Sequence, residues 1–422
     1  MPANTRRLGF SMFVVALAAG LHAEEKPWGP QDLLNGLMQN NPEIQAARSR
    51  FEAATKRPSQ VGTLPEPMAR YTNFGVGHPF SSLDVTEFAY QGFGVSQEIP
   101  FPGKLGLASE EAKREAESEE QNYRALVLDA TARLKVAWYE WLAVQKAIEL
   151  THKNSDLLGR FEEIARNRYT VGKGLQQDVL KAQLEVSTLE QELAMLDEKR
   201  QRAVAEIASL LAVSSVVLRT PGEIQPSAFL VSLDELVKAT NDSPRVRAEQ
   251  KLVDARAVRI NRSLKDFRPD FGVNLEWDHT GANFPEHYMA TVEVKIPIYY
   301  ARKQRYALEE SYSRLNEAKQ NYRTVQQQSI YQVKDQYLSI QSNERILNLY
   351  KTTLLPQAQL TVDSAASAYE VGSIDFLTLV TNLTNLISLE RQYYDELARH
   401  EEAIARLEPI VGKELVPFGE TK

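Results

Sequence analysis

The chain has 422 residues, 43% of them hydrophobic, a formal net charge of −7 and no cysteine. The missing cysteines exclude a disulfide framework, a thiolate metal site and a lipid anchor attached through cysteine. The acidic balance argues against a nucleic-acid partner, because a phosphate backbone is met by a basic face.

In chain order, residues 1–23 read as a secretory signal peptide. Arg6 and Arg7 form its positive start, residues 8–21 its apolar core, and Ala23 closes a small-residue cleavage site. Beyond it no apolar run approaches the roughly 18 residues of a membrane-spanning helix. If the protein sits in a membrane, it does so with β-strands.

The remainder repeats itself. Asn41-Pro42-Glu43-Ile44 recurs as Ser243-Pro244-Arg245-Val246, and Pro65-Glu66-Pro67 as Phe267-Arg268-Pro269. Ile99-Pro100-Phe101 recurs as Ile296-Pro297-Ile298, and Tyr169-Thr170-Val171-Gly172 as Tyr369-Glu370-Val371-Gly372. Four pairs in the same order, each roughly 200 residues apart, mark an internal duplication. The repeats are expected over residues 24–212 and 213–422. Each reads as a helical segment, a hairpin, and two long helices joined by a short turn.

In the first repeat the hairpin is expected at about 67–99, with strands near 68–76 and 87–97 that alternate unevenly. Long helices follow over about 104–168 and 175–212. Tyr123, Val127, Ala130, Leu134, Ala137, Trp141, Val144 and Ile148 keep a four-three spacing, and so do Val179, Ala182, Val186, Leu189, Leu193 and Leu196. Such a repeat predicts coiled-coil-like packing. In the second repeat the hairpin is expected at about 269–298 and the long helices at about 302–368 and 375–408. Phe376, Leu379, Leu383, Leu386, Tyr393 and Leu397 hold the register there, with Glu390 a polar intruder.

The second hairpin alternates cleanly. Phe271, Val273, Leu275 and Trp277 interleave with Gly272, Asn274, Glu276 and Asp278. On the return, Tyr288, Ala290, Val292, Val294 and Ile296 oppose Thr291, Glu293 and Lys295. A soluble half-buried hairpin would read the same way in isolation. Two copies on a signal-bearing chain favour membrane strands with Asn274, Glu276, Asp278, Thr291, Glu293 and Lys295 facing a lumen. Four strands cannot close a barrel, and open edges in lipid are costly, so several protomers are expected to share one. The fold class expected is α+β, mainly α.

The order of these elements resembles the TolC family of outer-membrane efflux proteins. The two Tyr-x-Val-Gly turns, Asp178-Val179-Leu180-Lys181-Ala182, and the stretch from Ser96 through Pro100, Gly103 and Lys104 to Leu105 carry the likeness. The last of these, with Leu64-Pro65-Glu66-Pro67, is similar to the branch associated with heavy-metal efflux. The resemblance implies a homotrimer with a twelve-stranded barrel in outer-membrane lipid and an α-helical barrel in the periplasm. It implies docking on a periplasmic adaptor and an inner-membrane pump of the resistance-nodulation-division type, with passive conduction outwards.

The resemblance also implies that the turns at 171–175 and 371–376 are the periplasmic tips, with Gly172, Gly174 and Gly372 serving the turns. Family members carry acidic residues after the second turn and a basic residue that helps to lock it. Alignment on Tyr369 puts Thr378 and Thr381 at the acidic positions and Ile374 at the basic one. Asp178 matches the acidic position of the first tip, and Asp375 lies nearby. A helix N-terminal role serves both carboxylates equally well. A weaker or differently built gate is expected.

No catalytic constellation and no cofactor motif emerges. His78, His152, His279, His287 and His400 lack metal-ligand spacing, and Val171-Gly172-Lys173-Gly174 lacks the pattern of a phosphate loop. Trp138 and Trp141 sit at helical spacing and are expected to pack. The rival readings are a periplasmic coiled-coil adaptor or scaffold without a pore, and an envelope enzyme, which the missing site disfavours.

Overall fold

The computed structural model describes residues 27–75, 78, 80, 83–84, 86, 88–220 and 225–419. The expected signal peptide, and Val76 and Glu87 at the expected strand limits, lie outside these residues. The first half comprises α1 (Pro30–Asn40), α2 (Pro42–Ala54), α3 (Arg57–Gly62), β1 (Met68–Phe74), β2 (Tyr90–Ile99), α4 (Lys104–Thr170) and α5 (Gln176–Leu210). The second comprises α6 (Leu233–Thr240), α7 (Pro244–Lys265), β3 (Asp270–His279), β4 (His287–Lys295), α8 (Gln304–Leu349), α9 (Leu355–Glu370) and α10 (Phe376–Val411).

The repeated motifs start and stop the same elements. Asn41 and Ser243 are the N-caps of α2 and α7, each followed by a proline whose missing N–H has no partner to lose in a first turn. Asn41 Oδ1 accepts from Ile44 N at 3.0 Å, and its Nδ2 donates to the Leu210 carbonyl at 2.8 Å. The two Tyr-x-Val-Gly turns fold alike. Gly172 N donates to Tyr169 O and Gly372 N to Tyr369 O, both at 3.0 Å.

Helix α4 runs for 67 residues, about 100 Å at 1.5 Å per residue. Its stripe of Ala130, Leu134, Ala137 and Trp141 is buried against α5 and α10, in a cluster that also holds Ile207, Leu211 and Leu397. Trp138 packs at 5.3 Å from the Phe418 ring, so the tryptophan pair is core. A second cluster, including Phe161, Ala182, Leu379 and Leu383, runs toward the turns.

The expected single helix over 302–368 is interrupted. Helix α8 ends at Leu349, a five-residue π turn covers Tyr350–Leu354, and α9 begins at Leu355. Pro356 supplies the reason: it lacks an N–H, and its ring crowds the carbonyl four residues back, at Thr352. A wider turn accommodates that loss without ending the helix.

The strands form one antiparallel sheet in the order β1-β2-β3-β4, with β2 paired to β3 across the duplication. Each outer strand has one edge unpaired among the described residues. One face carries an aromatic row in a single register, Tyr71, Phe93, Trp277 and Tyr288, with exposures from 48% to 83%. Val95, Leu275 and Ala290 form the next row on that face.

Candidate functional site

The opposite face of the sheet is polar. Register places Asn274 opposite Thr291, Gly272 opposite Glu293 and Asp270 opposite Lys295, so these side chains share one side with Glu276 and Asp278. Glu276 and Asp278 are buried while their neighbours Leu275 and Trp277 are exposed, so at this end of β3 the polar side is the sheltered one. Thr72 donates its hydroxyl to Glu276 Oε1 at 3.1 Å, and Lys295 Nζ lies 3.6 Å from Glu98. At its lower end the sheet is tied to α4. Lys104 Nζ reaches Asp270 at 2.8 Å and Asp266 at 3.5 Å, while Phe101 N donates to Asp270 at 2.8 Å.

At the far end of the helices the two turns meet. Gly172 and Gly372 adopt φ of +71° and +80°, a left-handed conformation that glycine enters without steric penalty. Gly174 closes the first turn, where an added Cβ would lie 3.0 Å from Tyr169 N. Asp375 caps α10, accepting from Thr378 N at 2.8 Å; this contact to Thr378 holds its carboxyl below the usual carboxylate range. Thr378 and Thr381 are exposed, and Thr381 donates its hydroxyl to the Leu377 carbonyl. Ile374 is partly buried and packs on the second apolar cluster.

The basic group at the tip comes from the other hairpin. The Arg168 guanidinium lies over the Tyr369 ring, 4.9 Å from its centroid, and Nη1 donates to the Tyr369 carbonyl. Nη2 reaches the Lys173 carbonyl at 3.5 Å. The Tyr369 hydroxyl is pushed above its ordinary pKa by burial and then by the Asp178 carboxylate, with Arg168 opposing. The sequence reading missed Arg168. Its signal was available: an arginine one residue before the first Tyr-x-Val-Gly, where the second repeat has Ala368.

The reading also missed a buried ionic cluster at mid-height. Lys135 Nζ contacts both Glu408 oxygens, at 2.9 and 2.8 Å, and Glu414 at 2.9 Å. Glu401 accepts from Ser227 N and Oγ and lies 3.1 Å from His400 Nδ1, with His400 fully buried. A lysine just after Leu134 in an apolar stripe is the only mark this cluster leaves in sequence.

His279 lies in register with Gln91 and His287 with Asp278, so the two face opposite sides of the sheet. Among the described residues no group of three or more His, Cys, Asp or Glu is placed to hold a metal, and no helix is long and apolar enough to cross a membrane.

The sequence pattern of the family described as outer membrane efflux protein matches residues 33–213 and 236–413. The cobalt-zinc-cadmium resistance protein CzcC of Cupriavidus metallidurans is 22% identical over 320 residues, 75% of each chain. A solved structure of CusC superposes with a TM-score of 0.78 at 14% identity, covering 98% of this chain and 99% of the other. The open-state MtrE channel of Neisseria gonorrhoeae gives 0.74 at 16% identity, covering 93% and 90%.

Proposed function

We infer the function from one premise: the chain belongs to the outer membrane efflux protein family. It is an efflux channel protein of the outer membrane, mainly helical, built by duplication. Its finer organisation is our reading. The repeats at 24–212 and 213–422 make one continuous protomer, and three protomers share a twelve-stranded barrel, β4 of one pairing with β1 of the next. Asn274, Glu276, Asp278, Thr291, Glu293 and Lys295 then line the lumen, and the aromatic row meets lipid. The helices extend into the periplasm.

One observation carries this reading. A four-stranded sheet offers an apolar face, a polar face and, among the described residues, two unpaired edges. In lipid those edges need partners, because each unpaired backbone group there costs several kcal/mol. β2 and β3, ten residues each, cover the roughly 25 Å apolar band of such barrels at about 3.3 Å per residue and about 40° of tilt, while β4 has nine residues and β1 seven. A coiled-coil adaptor has no use for that alternation.

The channel takes its substrate from a periplasmic adaptor and an inner-membrane pump of the resistance-nodulation-division type, meeting them at the tips around Gly172, Gly174, Asp178, Gly372, Ile374, Asp375, Thr378 and Thr381. Heavy-metal cations are the favoured cargo; the relative named for cobalt, zinc and cadmium resistance supports this. Deleting the gene tests the cargo, and fractionating the envelope tests the placement. Loss of tolerance to copper, zinc, cobalt or cadmium supports metal cargo, and unchanged tolerance to all four contradicts it. Recovery of the protein outside the outer-membrane fraction would contradict the placement itself.

A further inference from the structure

On the polar face Asp278 stands opposite Gly92, and Glu276 opposite Gly94. The glycines leave the space above β2 to the carboxylates. A Cβ on Gly92 would lie 2.2 Å from Asp278 Oδ1 and 3.2 Å from Glu276 Oε1. Both oxygens therefore lie within 3.2 Å of one point above Gly92, and they come from residues two apart on the same strand.

Among the described residues no basic side chain bonds the pair, though the His287 imidazole lies within electrostatic reach of Asp278. Asp278 is 8% exposed and Glu276 9%; among the described residues Asp278 Oδ1 has no hydrogen-bond partner and Glu276 accepts only from the Thr72 hydroxyl. Among the described residues neither makes an ion pair, although Arg70 lies opposite Gly94 on β1 and His287 opposite Asp278 on β4. Tyr90, two residues from Gly92 on β2, also neighbours the pair, while Glu98, Asp270, Glu293 and Lys295 stand farther along the same face. Two carboxylates held together out of water repel each other and lose solvation unless a proton or a cation joins them.

We propose that Glu276 and Asp278 form a divalent cation site of the calcium class, closed on one side by the Thr72 hydroxyl. The donors are all oxygen, which suits a hard cation better than zinc or copper. Calcium tolerates irregular, part-hydrated coordination at 2.3–2.6 Å, as a site with two carboxylates and open solvent requires. Two protein carboxylates place it with weak sites, of dissociation constant about 10⁻⁴–10⁻³ M. That the ion stands in the channel lumen rests on the reading above; the site itself is contained in one sheet.

The test is calcium titration of the purified full-length protein in detergent, by calorimetry and by terbium luminescence with calcium competition. Saturable binding is expected, with affinity at least tenfold lower in Asp278→Asn. Gly92→Ala keeps both carboxylates but places a methyl against Asp278 Oδ1, and is expected to weaken binding as strongly. This separates a built site from a diffuse acidic field. Glu276→Gln replaces it if that variant fails to fold. No saturable binding by the parent protein, or equal binding by the variants, would overturn the proposal. A protein that binds calcium without conducting would defeat the channel reading and leave this site standing; a conducting pore that binds none would do the reverse.

Discussion

Arg168, near the end of α4, covers the ring of Tyr369, near the end of α9, and donates to its carbonyl, so one hairpin tip grips the other. It places a basic group at the turns, where position 374 itself carries isoleucine. A cation–π contact contributes about 0.5–2 kcal/mol and a charged hydrogen bond about 1.5–3. Arg168→Ala is expected to loosen the tip and raise single-channel conductance severalfold. Lysine keeps the charge but loses the planar fork, so Arg168→Lys is expected to fall between. Equal conductance in all three would show that the grip does not hold the tip.

The left-handed turn at Gly372 supports the same contact. Alanine there would force a positive φ on a residue with a side chain and place its Cβ 3.1 Å from Arg168 Nη2. Gly372→Ala is expected to destabilise the tip by about 1–2 kcal/mol. Faster proteolysis at the turn, with an unchanged global melting temperature, is the measurement that checks it.

Mid-height, the Lys135–Glu408 pair is buried on both sides, at 3% and 4% side-chain exposure. Removing one partner strands a charge. Lys135→Met is expected to cost about 3–5 kcal/mol, while Lys135→Met combined with Glu408→Leu recovers most of it. Denaturant melts of the three proteins decide; a double variant no better than the single one would mean the pair is not what the site requires.

Glu402 gives a pH signature. Burial raises its carboxyl pKa, with Glu140 adding to the shift and Arg406 opposing it. A raised folded pKa means that the folded state holds the proton more tightly than the unfolded chain. The stability it contributes is present below the ordinary glutamate value of 4.5 and is lost as pH rises through the folded pKa. Glu402→Gln is therefore expected to melt higher than the parent at pH 7, with the gap closing as pH falls below that value. A constant gap from acid to neutral pH would contradict this.

Adjacent residues on β3 should behave oppositely. Leu275 faces the apolar side and Asn274 the polar side. Arginine on the lipid side of a barrel costs about 2–4 kcal/mol at the midplane. Leu275→Arg is expected to reduce heat-modifiable oligomer in membranes, whereas Asn274→Arg assembles and shifts ion selectivity toward anions.

Much of the fold was legible because its signals are periodic. The stripe through Leu134 and Trp141 and the alternation through Leu275 and Trp277 each repeat with the period of their element. β2 read poorly for a physical reason: Gly92 and Gly94 occupy the polar face and carry no hydropathy signal, while Gln91 and Gln97 interrupt the apolar one. The π turn at Tyr350–Leu354 followed from Pro356, a residue the helical pattern passes over. Arg168 and the Lys135 cluster were hidden because their partners lie about 200 or more residues away, at Tyr369 and Glu408. Thr378, Thr381 and Ile374, by contrast, follow the second Tyr-x-Val-Gly closely in sequence, so their nearness to that turn needs no long-range contact.

The claim that one chain supplies a third of a pore is tested most directly by single-channel recording on cross-linked, size-selected protein. A trimer that conducts in planar bilayers is expected, with no conductance from monomer fractions. A stable monomer that conducts, or a purified trimer that never does, would contradict it.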